Sequence, residues 1–221
     1  MSEQDNKTIY LYDDGIGSVS LITHMGTDLT IVNSARVSFG NTKTELSDKD
    51  RRLIKFLVKH KHTSTFEHNV VTFKFVVPLF VRSQHHRHRT WSYNEISRRY
   101  TEKNMAFYLP SEFRTQHRSN RQASNPEELI NPPMYDMDDG VMSHPNSLFK
   151  VSDYLEICTD KCFDAYKDFL RKGVCREQAR MILPQNLYTE YYGTCNLSNL
   201  LKFIDLRTHE GAQWEIQKVA E

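Results

Sequence analysis

Glycine and proline are scarce in this chain of 221 residues, at eight and seven. No glycine run forms a dinucleotide fingerprint or a P-loop, so a phosphate cradle made of bare backbone is excluded, and any nucleotide must be held by side chains. Cysteine is also sparse. Cys158, Cys162, Cys175 and Cys195 form no CxxC pair; buried or free thiols are the expectation, and no metal is expected. No apolar run approaches the roughly 20 residues that span a bilayer, and no signal-peptide pattern opens the chain, so a cytoplasmic protein without membrane partners is expected. Excess charge is missing too. Twenty-nine Lys and Arg stand against 28 Asp and Glu, a net +1, which disfavours a dedicated nucleic-acid binder, usually basic overall. Hydrophobic residues make up 38%, low but enough for a chain of this length to bury a core.

What the chain does have is a dense basic stretch. Gln84 to Tyr100 holds four arginines and three histidines in seventeen residues, with Glu95 the one carboxylate. Crowded cations repel unless an anion sits among them, and arginine forks suit phosphates and ring carbonyls. Glu95 cannot neutralise the cluster, so a ligand is the expected counter-charge. A solvated charged face is the plainer alternative, weakened by the aromatics inside the run and the apolar segment before it. Two further basic clusters, Arg176 to Arg180 and Lys202 to Arg207, also sit at element ends. One site with several phosphates would account for all three; local ion pairs such as Arg180 with Glu177 are the alternative.

The patterning is mixed. Residues 8–12, 18–23, 70–77 and 187–194 read as strands, with Val70–Val77 central. Helices are expected over Asp28–Ser38, after the Ser47 cap, from Pro78 through Arg89, over Ser147–Lys172, from Arg176 to Pro184, and over Ser198–Arg207. The helix after Pro78 would place Arg82, His85 or His86, and Arg89 on one face. Residues 110–146, rich in Asn, Pro, Asp and Ser, read as an inserted surface loop with a short helix near Pro126–Ile130. The expected fold is α+β, an antiparallel-rich sheet flanked by helices, as a single unit over 1–221. His62, Glu67 and His68 lack the spacing of a metal site.

Arg87-His88-Arg89, then seven residues, then Ser97 resembles the signature of the flavin-dependent thymidylate synthases. Supporting blocks are Ser34–Phe39, Phe66-Glu67-His68, Arg176–Arg180, Leu183-Pro184, Asn186–Thr189 and Ala212–Gln217, so the resemblance covers most of the chain. It implies an FAD-containing homotetramer, with active sites between subunits, that makes dTMP from dUMP. Methylenetetrahydrofolate would give the carbon and NADPH the reducing equivalents. It further implies that Gln84, Glu95, Ser97, Arg98, Arg99 and Arg180 hold dUMP, with Ser97, Arg99 and Arg180 closest to the chemistry. Ser38, His62, Ser64, Arg87, His88, Arg89, Asn94, Glu95, Asn196, Lys202 and Arg207 would surround the flavin. Electron-rich reduced flavin and the dUMP phosphate both suit a cationic site.

Two positions depart from the family pattern: Lys202, where asparagine is frequent, and Gly211, where a histidine is expected, with His209 nearby. Family members also usually continue through another helix beyond Trp214. Two rival functions remain: an RNA-binding module that stacks bases on the aromatics of the basic run, and an inactive relative that binds dUMP without reducing anything.

Overall fold

Strand β3 (Val70–Pro78) alternates β-branched and aromatic residues, and the fold grows outward from it. In the computed structural model, which describes residues 7–134 and 149–221, β3 is the middle of a five-stranded antiparallel sheet. On one side lie β2 (Ser18–Met25) and β1 (Thr8–Tyr10); on the other lie β9 (Tyr188–Asn196) and β4 (Ser92–Glu95). The β3–β9 ladder runs from Val70 opposite Asn196 to Pro78 opposite Tyr188. β4 pairs with β9 from Ser92 opposite Thr194 to Glu95 opposite Tyr191. Gly193 is required where β9 passes Phe75: a Cβ there would stand 2.9 Å from the Phe75 ring.

Helices α1 (Asp28–Arg36), ending in a 3-10 turn at Val37–Phe39, and α2 (Asp48–Lys59) pack together through Ile31, Leu57 and Phe66. Helix α3 (Leu79–His85) follows β3 directly. Strands β5 (Phe113–Gln116) and β6 (Ser124–Ile130) form a separate two-stranded sheet, and β7 (Pro133–Met134) pairs with β8 (Phe149–Lys150). Helix α4 (Val151–Arg171) buries Tyr166 against Ala179 of α5 (Arg176–Ala179) and against Leu183 and Leu187. Helices α6 (Leu197–Arg207) and α7 (Trp214–Ala220) cover the sheet, and Phe203 and Ile216 join Phe75, Val77, Val81, Trp91 and Tyr191 in the main core. Among the described residues no helix is long and apolar enough to cross a membrane.

The expected α+β architecture with an antiparallel sheet is therefore observed, with three local corrections. Helix α3 stops at His85, so Arg89 does not share its face. His88 and Trp91 close a turn instead, with the His88 amide donating to the His85 carbonyl at 2.9 Å and the Trp91 amide to the His88 carbonyl at 3.3 Å. Burial of Trp91 and the β4 ladder override the helical spacing. Within 110–134 the expected short helix is strand β6: Pro126 has no amide to donate, and a two-stranded sheet is all edge. Residues 135–146 of that segment, and the expected start of α4 at Ser147, lie outside the described residues; α4 itself begins at Val151.

Candidate active site

A cleft of about 370 Å³ opens where α3, the end of β4, the 3-10 turn after α5 and the start of β9 meet, lined by Arg82, Glu95, Ser97, Arg98, Arg180 and Thr189 among others. Glu95 is its fixed acceptor. Its Oε1 stands 3.2 Å from Arg82 Nε as an ion pair and accepts the Thr189 hydroxyl at 2.6 Å. Beyond it the Ser97 carbonyl accepts the amides of Tyr100 and Thr101, and Ser97 Oγ accepts the Arg99 amide at 3.3 Å. Arg98 reaches the cleft, but its guanidinium is committed to the carbonyls of Lys103, Asn104 and Tyr188, at 2.6, 3.3 and 3.4 Å, so it braces the loop after Ser97. Arg99 and Arg180 converge on one residue. Arg99 Nη2 stands 3.4 Å from the Glu177 carboxylate, and Arg180 Nε donates to the Glu177 carbonyl at 3.3 Å. The pairing expected between Arg180 and the Glu177 carboxylate is thus made by Arg99. Both arginines remain exposed and can turn to a ligand.

On the other side of α3, Gln84 donates its side-chain amide to Gln213, and its carbonyl accepts Arg207 Nη2 at 3.3 Å. Arg207 Nε also donates to His88 Nε2 at 3.0 Å, which leaves the His88 proton on Nδ1. Burial, and then the Arg207 charge, hold the His88 imidazole below its usual range. Arg87 and Arg89 flank it, exposed and without an ion-pair partner among the described residues. Beneath this turn His85 is fully buried, with Nδ1 2.8 Å from the Tyr191 hydroxyl and its ring edge-on to Phe75, Trp91 and Tyr93. His86 stacks on Tyr93 at 4.1 Å with its buried Nε2 unpartnered.

A third group lies at the far end of the β3–β9 ladder. Ser38 is exposed and donates to the Ala35 carbonyl at 3.5 Å. His62 meets Phe56 edge-on at 6.0 Å, and the Ser64 carbonyl accepts the Glu67 amide at 3.1 Å. Asn196 caps α6 by accepting the Asn199 amide at 2.9 Å; Lys202 is exposed on that helix, and Asn94 is exposed on β4. At Gly211 the amide donates to His209 Nδ1 at 3.0 Å, so the neighbouring imidazole folds back beside the position without a side chain.

One chain thus assembles Arg82, Glu95, Ser97, Arg98 and Arg180 in a cleft, with Arg99 beside it. It keeps Gln84, the 87–89 turn and Arg207 together on another face, and Ser38, His62 and Ser64 apart from both. Sequence reasoning missed Arg82 and Thr189 as partners of Glu95, and the role of Tyr191. Strand alternation could have signalled that Thr189 and Tyr191 share one face of β9.

Residues 20–221 match the family model described as thymidylate synthase complementing protein. A flavin-dependent thymidylate synthase from Thermus thermophilus is 41% identical over 96% of this chain and 71% of its own length. The enzyme of the same name from Thermotoga neapolitana is 39% identical over 92% and 82%. This chain belongs to the flavin-dependent thymidylate synthases. Among solved structures, the UMP/dUMP methylase PolB from Streptomyces cacaoi, bound with 5-Br dUMP, superposes with a TM-score of 0.75 at 33% identity, over 96% of this chain and 89% of that one. The geometry suits a flavin: exposed Arg87 and Arg89 have no ion-pair partner among the described residues and flank half-buried His88, where a planar, electron-rich group would be stabilised.

Proposed function

We propose that this enzyme methylates dUMP to dTMP with FAD as its flavin, methylenetetrahydrofolate as carbon donor and NADPH as reductant, in the cytoplasm and as a homotetramer. The observation that carries the reading is the cleft at Glu95. It offers a fixed carboxylate acceptor, the Ser97 hydroxyl and two arginines whose one shared partner is exposed Glu177. Arg99 and Arg180 take the phosphate dianion, and Glu95 and Ser97 take the polar edge of uracil. Arg87, His88, Arg89 and Arg207 face the flavin, with Asn94, Asn196, Lys202, Ser38, His62 and Ser64 along its length. A bound flavin supplies the redox chemistry. The protein's part is to orient the pyrimidine, exclude water and hold cations where negative charge accumulates. Gln84 points from α3 toward Gln213 and not into the Glu95 cleft, which favours a site completed by a second subunit.

The test is direct. Purified protein given FAD is expected to show flavin absorbance that NADPH bleaches, and to form dTMP when dUMP and methylenetetrahydrofolate are added. A colourless protein at high FAD that consumes no NADPH would sink the reading. Steep salt-dependent binding to RNA in the same preparation would favour a nucleic-acid module instead.

A further inference from the structure

Strand β5 lies in the stretch read from sequence as an inserted loop, yet one of its side chains starts a part-buried polar chain that ends at the 87–89 turn. Arg114 Nη2 donates to Glu215 Oε1 at 2.5 Å, with the two side chains 19% and 5% exposed. The other carboxylate oxygen of Glu215 accepts Gln213 Nε2 at 2.8 Å. The carbonyl end of Gln213 then accepts the side-chain amide of Gln84. The Gln84 main-chain carbonyl accepts Arg207 Nη2 at 3.3 Å, and Arg207 Nε reaches His88 at 3.0 Å.

We propose that Arg114 and Glu215, themselves 101 residues apart in sequence, are positioning residues for the reaction, setting the orientation of Gln84, and through Arg207 that of His88. The chain has a fixed polarity. An ionised carboxylate only accepts, so Gln213 must turn its amino group to Glu215 and its carbonyl to Gln84. Gln84 must therefore turn its own amino group to Gln213, which leaves its carbonyl oxygen free to accept. A glutamine on solvent would sample both amide orientations; this one cannot without breaking its hydrogen bond to Gln213. Glu215 is held in turn by more than Arg114. The Tyr108 hydroxyl donates to its Oε1 at 3.4 Å, and the Tyr12 hydroxyl to its main-chain oxygen at 3.0 Å. The Arg114 guanidinium is itself fixed, 4.9 Å from the Trp214 ring and with Nε on Ser124 Oγ at 3.0 Å. Such a buried pair is weak evidence for stability, because its desolvation offsets its attraction; an orienting role accounts for its continuation through two glutamines.

The inference rests on the proposed role of Gln84 in dUMP binding, so its test has one arm that does not. Gln213→Leu cuts the chain in the middle and leaves the Arg114–Glu215 pair intact. Hydrogen exchange at residues 84–89 is expected to quicken in the holoenzyme of this variant, with thermal stability nearly unchanged. The KM for dUMP is expected to rise by about tenfold, on the scale that small misplacements produce, with flavin content retained. The double variant Arg114→Met/Glu215→Gln removes both buried charges together and is expected to match Gln213→Leu; combined with Gln213→Leu it should add no further loss, because all three cut one chain. Unchanged exchange at 84–89 in Gln213→Leu, or independent, multiplying effects of the two cuts, would overturn the proposal. If the exchange changes appear while the wild-type protein neither binds dUMP nor makes dTMP, the positioning chain stands and the functional reading fails.

Discussion

Arg82 Nε lies 3.2 Å from Glu95 Oε1, and the same oxygen accepts the Thr189 hydroxyl, so one carboxylate ties α3, β4 and β9 together at the mouth of the cleft. Replacing Glu95 with Gln keeps the shape and removes the charge that Arg82 faces. The expected loss in dUMP affinity is about 1.5–3 kcal/mol, the scale of hydrogen bonds to charged groups. Titration calorimetry on Glu95→Gln reads it; wild-type affinity would show that Glu95 only braces the sheet edge.

Arg99 and Arg180 share Glu177, through its carboxylate and its carbonyl respectively. Replacing either arginine by Ala is expected to weaken dUMP by about 1.5–3 kcal/mol while leaving flavin content near normal. Glu177→Gln should act the other way. It frees Arg99 from an exposed ion pair, which is worth up to about 1 kcal/mol, so dUMP binding should tighten by no more than that. If both arginine variants keep full affinity, these side chains serve only local pairing.

The elements set by local pattern were legible in the sequence. The β-branched run of Val70–Val77 became the central strand, and the Ser47 cap opened α2, where the Ser47 amide donates to Asp50 at 3.0 Å. What was not legible depends on distant partners. The helical spacing of Arg82 to Arg89 lost to the burial of Trp91 and the pairing of β4 with β9. The strand at Ser124–Ile130 exists because Phe113 finds Ile130 across a hairpin, a pairing that composition cannot reveal. The family was legible through one long motif. The grouping of the candidate site was not, because only the fold separates Gln84 from Glu95 on opposite sides of α3.

The His85 imidazole should make the protein acid-sensitive. Burial, then the charges of His88, His86 and Arg207, hold its pKa well below the ordinary value; the Tyr191 hydroxyl at 2.8 Å is its hydrogen-bond partner. A depressed value means the folded state prefers neutral imidazole. Its contribution is complete above the unfolded pKa of about 6.5 and declines as pH falls below it. Each such group adds a slope of up to about 1.4 kcal/mol per pH unit. Denaturant unfolding from pH 8 to 5 should show stability falling with pH, and His85→Phe should have a shallower slope in that range. An unchanged slope in His85→Phe would assign the acid sensitivity to His86 and His88 alone.

Asp50 acts in a lower window. Lys43 at 2.6 Å, the Ser47 hydroxyl at 2.6 Å and Arg36 at 2.7 Å stabilise its carboxylate, which lies well below the usual range, with the Lys43 and Ser47 bonds as the largest causes. Its stabilisation is complete above the unfolded value of about 3.9 and is lost progressively as pH falls from there toward the lower folded value. Asp50→Asn should therefore destabilise the α1–α2 pair at neutral pH and flatten the acid limb below about pH 4. Acid titrations of the two proteins that run parallel below that pH would refute this.

The last prediction concerns the absence of an enzyme nucleophile: no side chain forms a covalent bond to the uracil ring. A thiolate doing so must be exposed and lowered in pKa. Cys195 is buried in the core, and burial pushes its thiol up to about 12. Cys158 and Cys162 lie half-buried along α4, away from the residues lining the cleft. Cys175 is exposed, and its Sγ donates to Gln178 Oε1 at 3.8 Å. Ser97 lines the cleft, but an alcohol needs a base. Its Oγ accepts the Arg99 amide, and His88 meets Arg207 on the other side of α3. On the proposed reading Ser97 and Glu95 orient the pyrimidine while the redox cofactor supplies the electrons. Ser97→Ala is expected to slow turnover but leave measurable dTMP synthesis, and Cys175→Ala to be nearly silent. Mass spectrometry of enzyme denatured during turnover should find no uracil adduct on either residue, and a trapped adduct on Ser97 or Cys175 would overturn this account.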